Sequence, residues 1–390
     1  MEDKTPIETG IDFELTEEMK MVQQTARDFA ESEIRPVVMK YDEAQEFPTD
    51  IVKKMADLGF LGATIPSDLG GAGLSPLEFV VIMEEISRVD PSVGLIIAAH
   101  SGLCLHHIIT YGNEGQKRQY VPDLATGKKI GSWCLTEPGS GSDSSALNTT
   151  AVREGDSYVI NGTKSFITNG TVASTYVVLA KTDPSKRNKG ISAFIVEREM
   201  KGVSVGKKEN KLGMRASDTA VMVFDEVKVP KANLIGNEGD GFKQALGVLD
   251  SGRVGIAALS VGLGQGALDA GLKYAKERQA FGKPIVDFQG IQFKLADMAT
   301  ELQAARLMTY RAAMAEAKAE NLTMLGAYAK LYASEAAVRA ATEAVQIHGG
   351  YGYIKEFPVE KFYRDSKLLT IGEGTSEVQK IVISRNLLRT

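Results

Sequence analysis

"YVINGTKSFI", residues 158–167, is the stretch on which the fold turns. Apolar and β-branched residues flank Asn161-Gly162, a dipeptide that suits a tight hairpin turn because both positions tolerate positive φ. The stretch therefore reads as a hairpin, and a hairpin needs a sheet. Its neighbours have the same texture: "STYVVLA", "ISAFIVE" and "AVMVFDEVKV" are short apolar runs rich in β-branched and aromatic residues. Residues 151–230 thus read as a compact β domain.

On either side the pattern is helical. In "LTEEMKMVQQTARDFAESEI" Val22, Ala26 and Phe29 fall on one face, and Pro36 marks an exit or boundary. "GGAGLSPLEFVVIMEEISRVD" carries a start signal: Ser75 as N-cap, Pro76 behind it and Glu78 completing a capping box. After the β region, "FKQALGVLDSGRVGIAALSVGLGQGALDAGLKYAKER" reads as one long helix whose Ala and Gly residues allow close helix approach. Ile291, Leu295, Met298, Leu302 and Ala305 form the packing stripe of the next helix. A third helix ends at Gly349-Gly350, and a last one starts near Ser376, with Gln379 completing a capping box. The fold class is mainly α with a β domain: residues 1–129 helical, 130–236 a middle β domain, 237–390 a helical bundle.

Composition narrows the function. The chain has 390 residues, 43% hydrophobic and 24% charged, with a net charge of −5, which disfavours nucleic acid as a partner. Four histidines and two cysteines, Cys104 and Cys134, show no metal-ligand spacing. No run reaches the roughly 20 apolar residues of a membrane span, so no stable membrane insertion is expected. "MEDKTPIETGIDFE" does not read as a signal or transit peptide, and residues 1–11 have no assigned role.

Five segments can carry chemistry. "CLTEPGSGSDSSA" (134–146) offers Gly139 and Gly141 for close backbone approach, with hydroxyls from Thr136, Ser140 and Ser142; it suits a cofactor loop or a polar interdomain turn. In "KSFITNG" (164–170) Phe166 and Thr168 share a strand face, where a flat ring could pack, or where an ordinary β core could lie. "ERQAFGKPIVDFQ" (277–289) sets Arg278, Phe281 and Gln289 around a turn; Arg278 is either a phosphate ligand or a surface charge. "QIHGGYGYIKEFPVEKFYRD" (346–365) has three glycines where a helix exit needs one. In "LLTIGEGTSEVQKIVISR" (368–385) Glu373 sits between two glycines at a helix entrance. It is a solvated loop charge, or a base whose apolar surroundings raise its pKa.

Taken together, the order and spacing of these segments resemble the acyl-CoA dehydrogenase family over about residues 12–388, above all in "CLTEPGSGSDSSA" and "QIHGGYGYIKEFPVEKFYRD". The resemblance implies an N-terminal helical domain, a middle β-barrel-like domain and a C-terminal four-helix bundle. It implies FAD, a homotetramer built as a dimer of dimers, and α,β-desaturation of an acyl-CoA thioester, with electrons passed to an electron-transfer flavoprotein. By the same resemblance Glu373 is the base that removes the α-proton, while the β-hydride passes to flavin N5. Its backbone N–H helps polarise the thioester carbonyl. Trp133, Cys134, Leu135, Thr136, Gly141 and Ser142 match flavin-contacting positions, Ser142 also lying near the CoA chain. Phe166, Ile167 and Thr168 match the segment against the isoalloxazine ring. Arg278 and Phe281 match residues that reach the neighbouring subunit's FAD, and Gln289, Gln346, Gly349 and Gly350 match further FAD contacts. Thr375 and Glu377 match flavin-side contacts after the base, and Asp250 and Arg253 match CoA-side substrate positions. Some relatives carry the base on the long helix instead; that position is Gly252 here.

Gly372 and Gly374 flank the base on the substrate side. Many straight-chain relatives have Tyr where Gly372 stands, so the resemblance implies room at the thioester end for a short, branched or cyclic acyl group. Two other readings are an acyl-CoA oxidase-like enzyme using O₂, disfavoured by the short chain, and a non-enzymatic flavoprotein, disfavoured by Glu373. A bacterial cytoplasm or a processed mitochondrial matrix chain fits the sequence.

Overall fold

The computed structural model describes residues 14–388; residues 1–11 lie outside that range. The N-terminal part is helical, as expected: α1 (Glu17–Phe29), α2 (Val38–Ala44), α3 (Thr49–Asp57), α4 (Pro76–Val89), α5 (Pro91–Ile97), α6 (His106–Tyr111) and α7 (Glu114–Ala125). α1 buries Ala26 and Phe29. Pro36 marks a boundary between helical segments, not an exit from helix. It falls in a one-turn 3₁₀ segment, Arg35–Val37, and the chain bends there into α2. The capping box at the start of α4 is present: Ser75 Oγ accepts from Glu78 N, and Glu78 Oε2 accepts from Ser75 N at 2.7 Å. Between α5 and α6 the helix widens to a π-helical stretch, Ala98–Leu105.

The middle region is one eight-stranded sheet. Its strands are β1 (Gly131–Cys134), β2 (Thr150–Glu154), β3 (Ser157–Thr168), β4 (Thr175–Lys181), β5 (Ile191–Glu197), β6 (Val203–Lys208), β7 (Thr219–Pro230) and β8 (Leu234–Ile235). The order is β6-β7-β3-β2-β4-β5-β8, with β1 parallel to β4. Asn161-Gly162 is not a turn: β3 runs through it as one strand. The hairpin turn lies earlier, at Gly155 (φ +60) and Asp156, between β2 and β3. Asn161 instead answers a bulge on β7: Glu226 has φ +52, and its N–H donates to Asn161 Oδ1 at 2.8 Å. Gly162 is needed for space, since a Cβ there would stand 2.7 Å from Thr149 Cβ. A second bulge, on β3 at Ser165–Phe166, puts Phe166 at φ +57 and swings its ring outward.

The C-terminal part holds α8 (Gly241–Glu277), the short ribbon β9 (Gln279–Ala280) and β10 (Lys283–Pro284), α9 (Gln289–Ala317), α10 (Leu322–His348), α11 (Val359–Leu369) and α12 (Ser376–Leu387). Met298, Leu302 and Ala305 of the expected α9 stripe are buried, and Ile291 and Leu295 pack at its edge. Burial of that kind contributes about 1.5–3 kcal/mol for each large aliphatic side chain. Where α8 meets α4, a Cβ on Gly262 would fall 2.9 Å from Ser87 Cβ, so glycine sets the approach of the two helices. Contrary to the sequence expectation, two helical runs, Pro91–Tyr111 and Gly241–Glu277, are long and apolar enough to cross a membrane by length and composition; 72% of each apolar window is buried inside the fold, as in core helices.

Candidate active site

The loop after α11 carries Glu373, and three features hold it. First, Glu373 has φ +51 and Gly374 φ +90, so two successive left-handed residues turn the chain sharply into α12. Second, the cap of α12 is Thr375, not Ser376: Thr375 Oγ1 accepts from Val378 N. Gln379 therefore forms no capping box. Its amide reaches back and donates to Gly374 O at 2.9 Å and to Glu373 O at 3.3 Å. Third, Lys330 of α10, wholly buried, donates to Gly374 O at 2.7 Å. The backbone of the Glu373 loop is pinned from two helices.

The carboxylate itself is left free. Glu373 is half-buried as a residue, but Oε2 is shut off from solvent and has no hydrogen-bond partner. Burial pushes its pKa up to about 7, against the opposing pull of Lys330 and Arg253. One wall of this pocket lies outside the loop. It comes from α8 and from the π-helical stretch: a Cβ on Gly252 would overlap Glu373 Oε2 and would stand 3.0 Å from Leu103 Cδ2. Gly252 is thus the hole in α8 into which the carboxylate fits. Gly372 differs from Gly374. Its φ is not positive, and the atoms nearest a Cβ there would be those of Leu368, at 3.6 Å or more. The space beside Glu373 is open for lack of a side chain, not because the backbone demands glycine.

Asp250 and Arg253, one turn apart on α8, pair with each other, and Asp250 Oδ2 also accepts from Thr323 Oγ1 at 2.6 Å. Arg253 is buried with Nε unpartnered. Burial lowers its pKa, opposed by Asp250 and Glu373.

A second group gathers where β1 runs into the Gly/Ser loop beside β3. Ser132 Oγ donates to Thr168 O at 2.6 Å, and Ser165 N to Thr136 O at 2.8 Å. Trp133, Cys134, Leu135 and Ile167 are buried in the cores, so Cys134, Leu135 and Ile167 can offer a ligand little but backbone. Phe166 is 67% exposed, Thr136 and Thr168 are half-buried, and Gly141 and Ser142 lie open; a Cβ on Gly139 or Gly141 would meet nothing within 4 Å. An outward aromatic on a bulge, flanked by hydroxyls and unobstructed glycines, fits the face of a planar cofactor. Under this shelf, Lys164 is fully buried and ties Leu135 O and the Glu137 carboxylate together. Trp133 Nε1 donates to His107 Nδ1 at 3.0 Å; burial holds that imidazole neutral, with its pKa down to about 4.

A third group lies apart, with no hydrogen bond to the second among the described residues. Arg278 stands over the Tyr351 ring at 5.5 Å and lines a pocket of about 470 Å³ with His348, Gly349 and Gly350. Phe281 is 95% exposed at φ +53; Gln289, Gln346 and Glu377 are exposed too. Thr375, as the cap of α12, joins the base loop instead.

Against known proteins, residues 16–128, 132–227 and 239–388 match the family models "Acyl-CoA dehydrogenase, N-terminal domain", "middle domain" and "C-terminal domain". The chain belongs to the acyl-CoA dehydrogenase family. As a member it is an oxidoreductase of a family of FAD flavoproteins. It is 49% identical over 377 residues to the short-chain specific acyl-CoA dehydrogenase, mitochondrial, of Rattus norvegicus, covering 97% of this chain and 92% of that one. It superposes with a TM-score of 0.96 on butyryl-CoA dehydrogenase from Megasphaera elsdenii, at 42% identity, covering 97% of this chain and all of that one. A solved chain from work on the electron transferring flavoprotein of Acidaminococcus fermentans matches with a TM-score of 0.96 and 46% identity, again over 97% of this chain and all of that one.

Sequence reading missed three parts of this acyl-CoA dehydrogenase site. Gly252 was seen only as a missing base, not as the cleft for the real candidate. Leu103 had no signal at all. Lys330 had one: in "GAYAKLYASEAAVRAA" it stands three residues from both Ala327 and Ala333, a cation on the buried stripe of a helix.

Proposed function

We propose that this acyl-CoA dehydrogenase desaturates short-chain acyl-CoA thioesters at the α,β bond, with Glu373 as the base. The observation that carries the reading is Oε2 of the Glu373 carboxylate, shut off from solvent, unpartnered and seated against Gly252, with burial pushing the group's pKa up to about 7. A carboxylate tuned to near neutrality takes a weakly acidic α-proton more readily than an ordinary one at the same pH. The Glu373 backbone N–H donates to the thioester carbonyl and stabilises the charge that develops there. Gln379 and Lys330, bound to the carbonyls of Glu373 and Gly374, keep that loop from shifting. Asp250 and Arg253 meet the CoA side. Gly372 leaves the thioester end open, and the names of the rat and Megasphaera relatives favour a short straight chain.

FAD, held by Trp133 to Thr136, Gly141, Ser142 and Phe166 to Thr168, supplies the hydride acceptor. Trp133, buried at this site, would help exclude water, and the half-buried Thr136 and Thr168 would offer hydroxyls to the cofactor's polar edge. Arg278 and Phe281 would reach a neighbouring subunit's FAD, which fits their exposure in one chain, and Gln289, Gln346, Gly349 and Gly350 would add further FAD contacts. A homotetramer is supported further by an apolar groove of about 830 Å³ along α9 and α10, lined by Leu307, Leu325, Tyr328 and Leu331. An electron-transfer flavoprotein is the proposed acceptor, by likeness to the Acidaminococcus system.

Anaerobic mixing with a panel of C4–C16 straight, branched and cyclic acyl-CoAs tests the reading. Flavin should bleach fastest with short chains, and Glu373→Gln should retain FAD and ligand yet slow bleaching by at least about 10²–10⁴-fold. An optimum at C12–C16 overturns the substrate class; near-normal bleaching by Glu373→Gln overturns the base.

A further inference from the structure

Lys330 is out of place in its helix. α10 buries Ala327, Ala329, Ala333, Ala336 and Ala337 around it, and its side chain has no exposure at all. A buried ammonium is costly unless something compensates it. Among the described residues no carboxylate lies in ion-pairing distance of Nζ, and its side-chain hydrogen bond goes to Gly374 O. That bond alone does not explain a charge, because Gln379 already donates to the same oxygen. A neutral amide suffices to hold a carbonyl.

The charges around it supply the reason. Arg253 on α8 is neutralised by Asp250. Glu335, on α10 itself, accepts from Ser376 Oγ at 2.6 Å, and Glu377 at the start of α12 is exposed. Glu373, on the loop that Lys330 grips, is the anion with an empty oxygen. The coupling shows in both partners: Lys330 is pushed down to about 8, chiefly by burial and further by Arg253, with Glu373 the largest opposing influence and Glu335 and Glu377 lesser ones; Glu373 in turn is held down by Lys330 first and Arg253 second.

We propose that Lys330 is the positioning residue of the base: its ammonium clamps the Gly374 carbonyl and keeps the Glu373 carboxylate ionised in a pocket whose burial favours the neutral acid. The proposal rests on the reading of Glu373 as the base. A bound acyl chain excludes still more water from the carboxylate, which would protonate it just when a base is required; a fixed cation beneath the loop opposes that without occupying the oxygen that must take the proton. Once Glu373 is protonated, the same cation favours release of the proton and restores the base.

The test uses the FAD-loaded enzyme and the variants Lys330→Met, Lys330→Gln and Lys330→Arg. The carboxylic-acid band of Glu373, assigned by its loss in Glu373→Gln, is titrated by difference infrared spectroscopy without substrate. Met and Gln should raise its midpoint by roughly one unit or more, the low end for loss of a close opposite charge; Arg should leave it within about a third of a unit of wild type. Flavin reduction in Lys330→Gln should fall about fivefold at pH 7, with the deficit closing by pH 9. Should Met prevent folding, the Gln and Arg arms decide alone. Equal midpoints in Gln and wild type, or an equal shift in Arg and Gln, overturn the proposal. Because the infrared arm needs no turnover, its failure is distinct from failure of the base assignment, which Glu373→Gln kinetics report.

Discussion

Gly252→Ala is the sharpest perturbation of this site, because it adds one methyl group to the cleft that receives the base. Built on the existing backbone, the new Cβ stands 3.5 Å from Glu373 Cδ and 3.0 Å from Leu103 Cδ2, and overlaps Oε2. α8 cannot yield: at this point Gly252, Arg253 and Val254 are all buried in a 37-residue helix. The Glu373 backbone cannot follow either, since Lys330 and Gln379 grip the two carbonyls around it. The strain therefore falls on the carboxylate, which must swing back by roughly 1 Å to regain ordinary contact. A misplacement of that size costs about 10²-fold in a positioned reaction. Anaerobic stopped-flow reduction of the bound flavin by butyryl-CoA should accordingly slow by about two orders of magnitude. FAD content, the melting temperature and the dissociation constant for a non-reducible acyl-CoA analogue should change little, because the atoms nearest the methyl group belong to the Glu373 and Leu103 side chains. Reduction within about threefold of wild type would refute the cleft, since a shift of that size corresponds to well under 1 kcal/mol of barrier.

Two other perturbations have equally definite signs. Glu373 has a folded pKa of about 7 against 4.5 for the free group, so between those values the folded state holds a proton that the unfolded chain has released. Stability should fall as pH rises through that window, by about 3 kcal/mol, and Glu373→Gln should abolish this contribution; thermal melts of the two proteins from pH 4.5 to 8 should diverge upward with pH in favour of Gln, and parallel curves would contradict the burial argument. Gly372→Tyr places a ring where the nearest neighbours of a Cβ are Leu368 atoms at 3.6 Å or more, so the protein should fold with an unchanged melt while kcat/KM for branched or cyclic acyl-CoAs drops relative to butyryl-CoA; equal losses for every substrate would mean that the space is not at the thioester end.

What the sequence disclosed was local, and what it hid was contact between distant segments. The alternation of helical and β textures, the α9 stripe and the α4 capping box are properties of a few consecutive residues, and each stands in the structure. The Asn161-Gly162 signal failed because its competitor lies 65 residues away: the bulged N–H of Glu226 takes the Asn161 side chain, and the strand runs on. The start of α12 at Ser376 stands, but its capping box does not, for a related reason: Thr375 is the cap, and Gln379 is drawn off to the carbonyls before the helix. Glu373 was visible as a carboxylate between glycines. Its pocket was not, because Gly252 and Leu103 reach it from α8 and the π-helical stretch. π-Helical widenings recur at functional sites, but no pattern in "AAHSGLCL" announces this one.

Backbone strain links the parts that were visible to those that were not. Phe166, Phe281 and Glu373 all sit at positive φ, a region that costs a non-glycine residue of order 1–3 kcal/mol and persists only where the surroundings over-determine it. Each of the three is restrained by a different device. Phe166 is held by a bulge between Lys164 and Ile167 in a long strand pair, and Phe281 by the two-residue ribbon of β9 and β10. Glu373 is held by paired donors on the carbonyls that follow it. The two exposed aromatics are aimed away from their own core, whereas the carboxylate is aimed into it. The same conformational cost thus serves opposite ends. At Phe166 and Phe281 it leaves apolar surface exposed, and at Glu373 it turns a carboxylate into a pocket that has no hydrogen bond to offer Oε2. A flexible loop could reach either arrangement; only a loop clamped from α10 and α12 can keep the carboxylate there while the pocket dries around it.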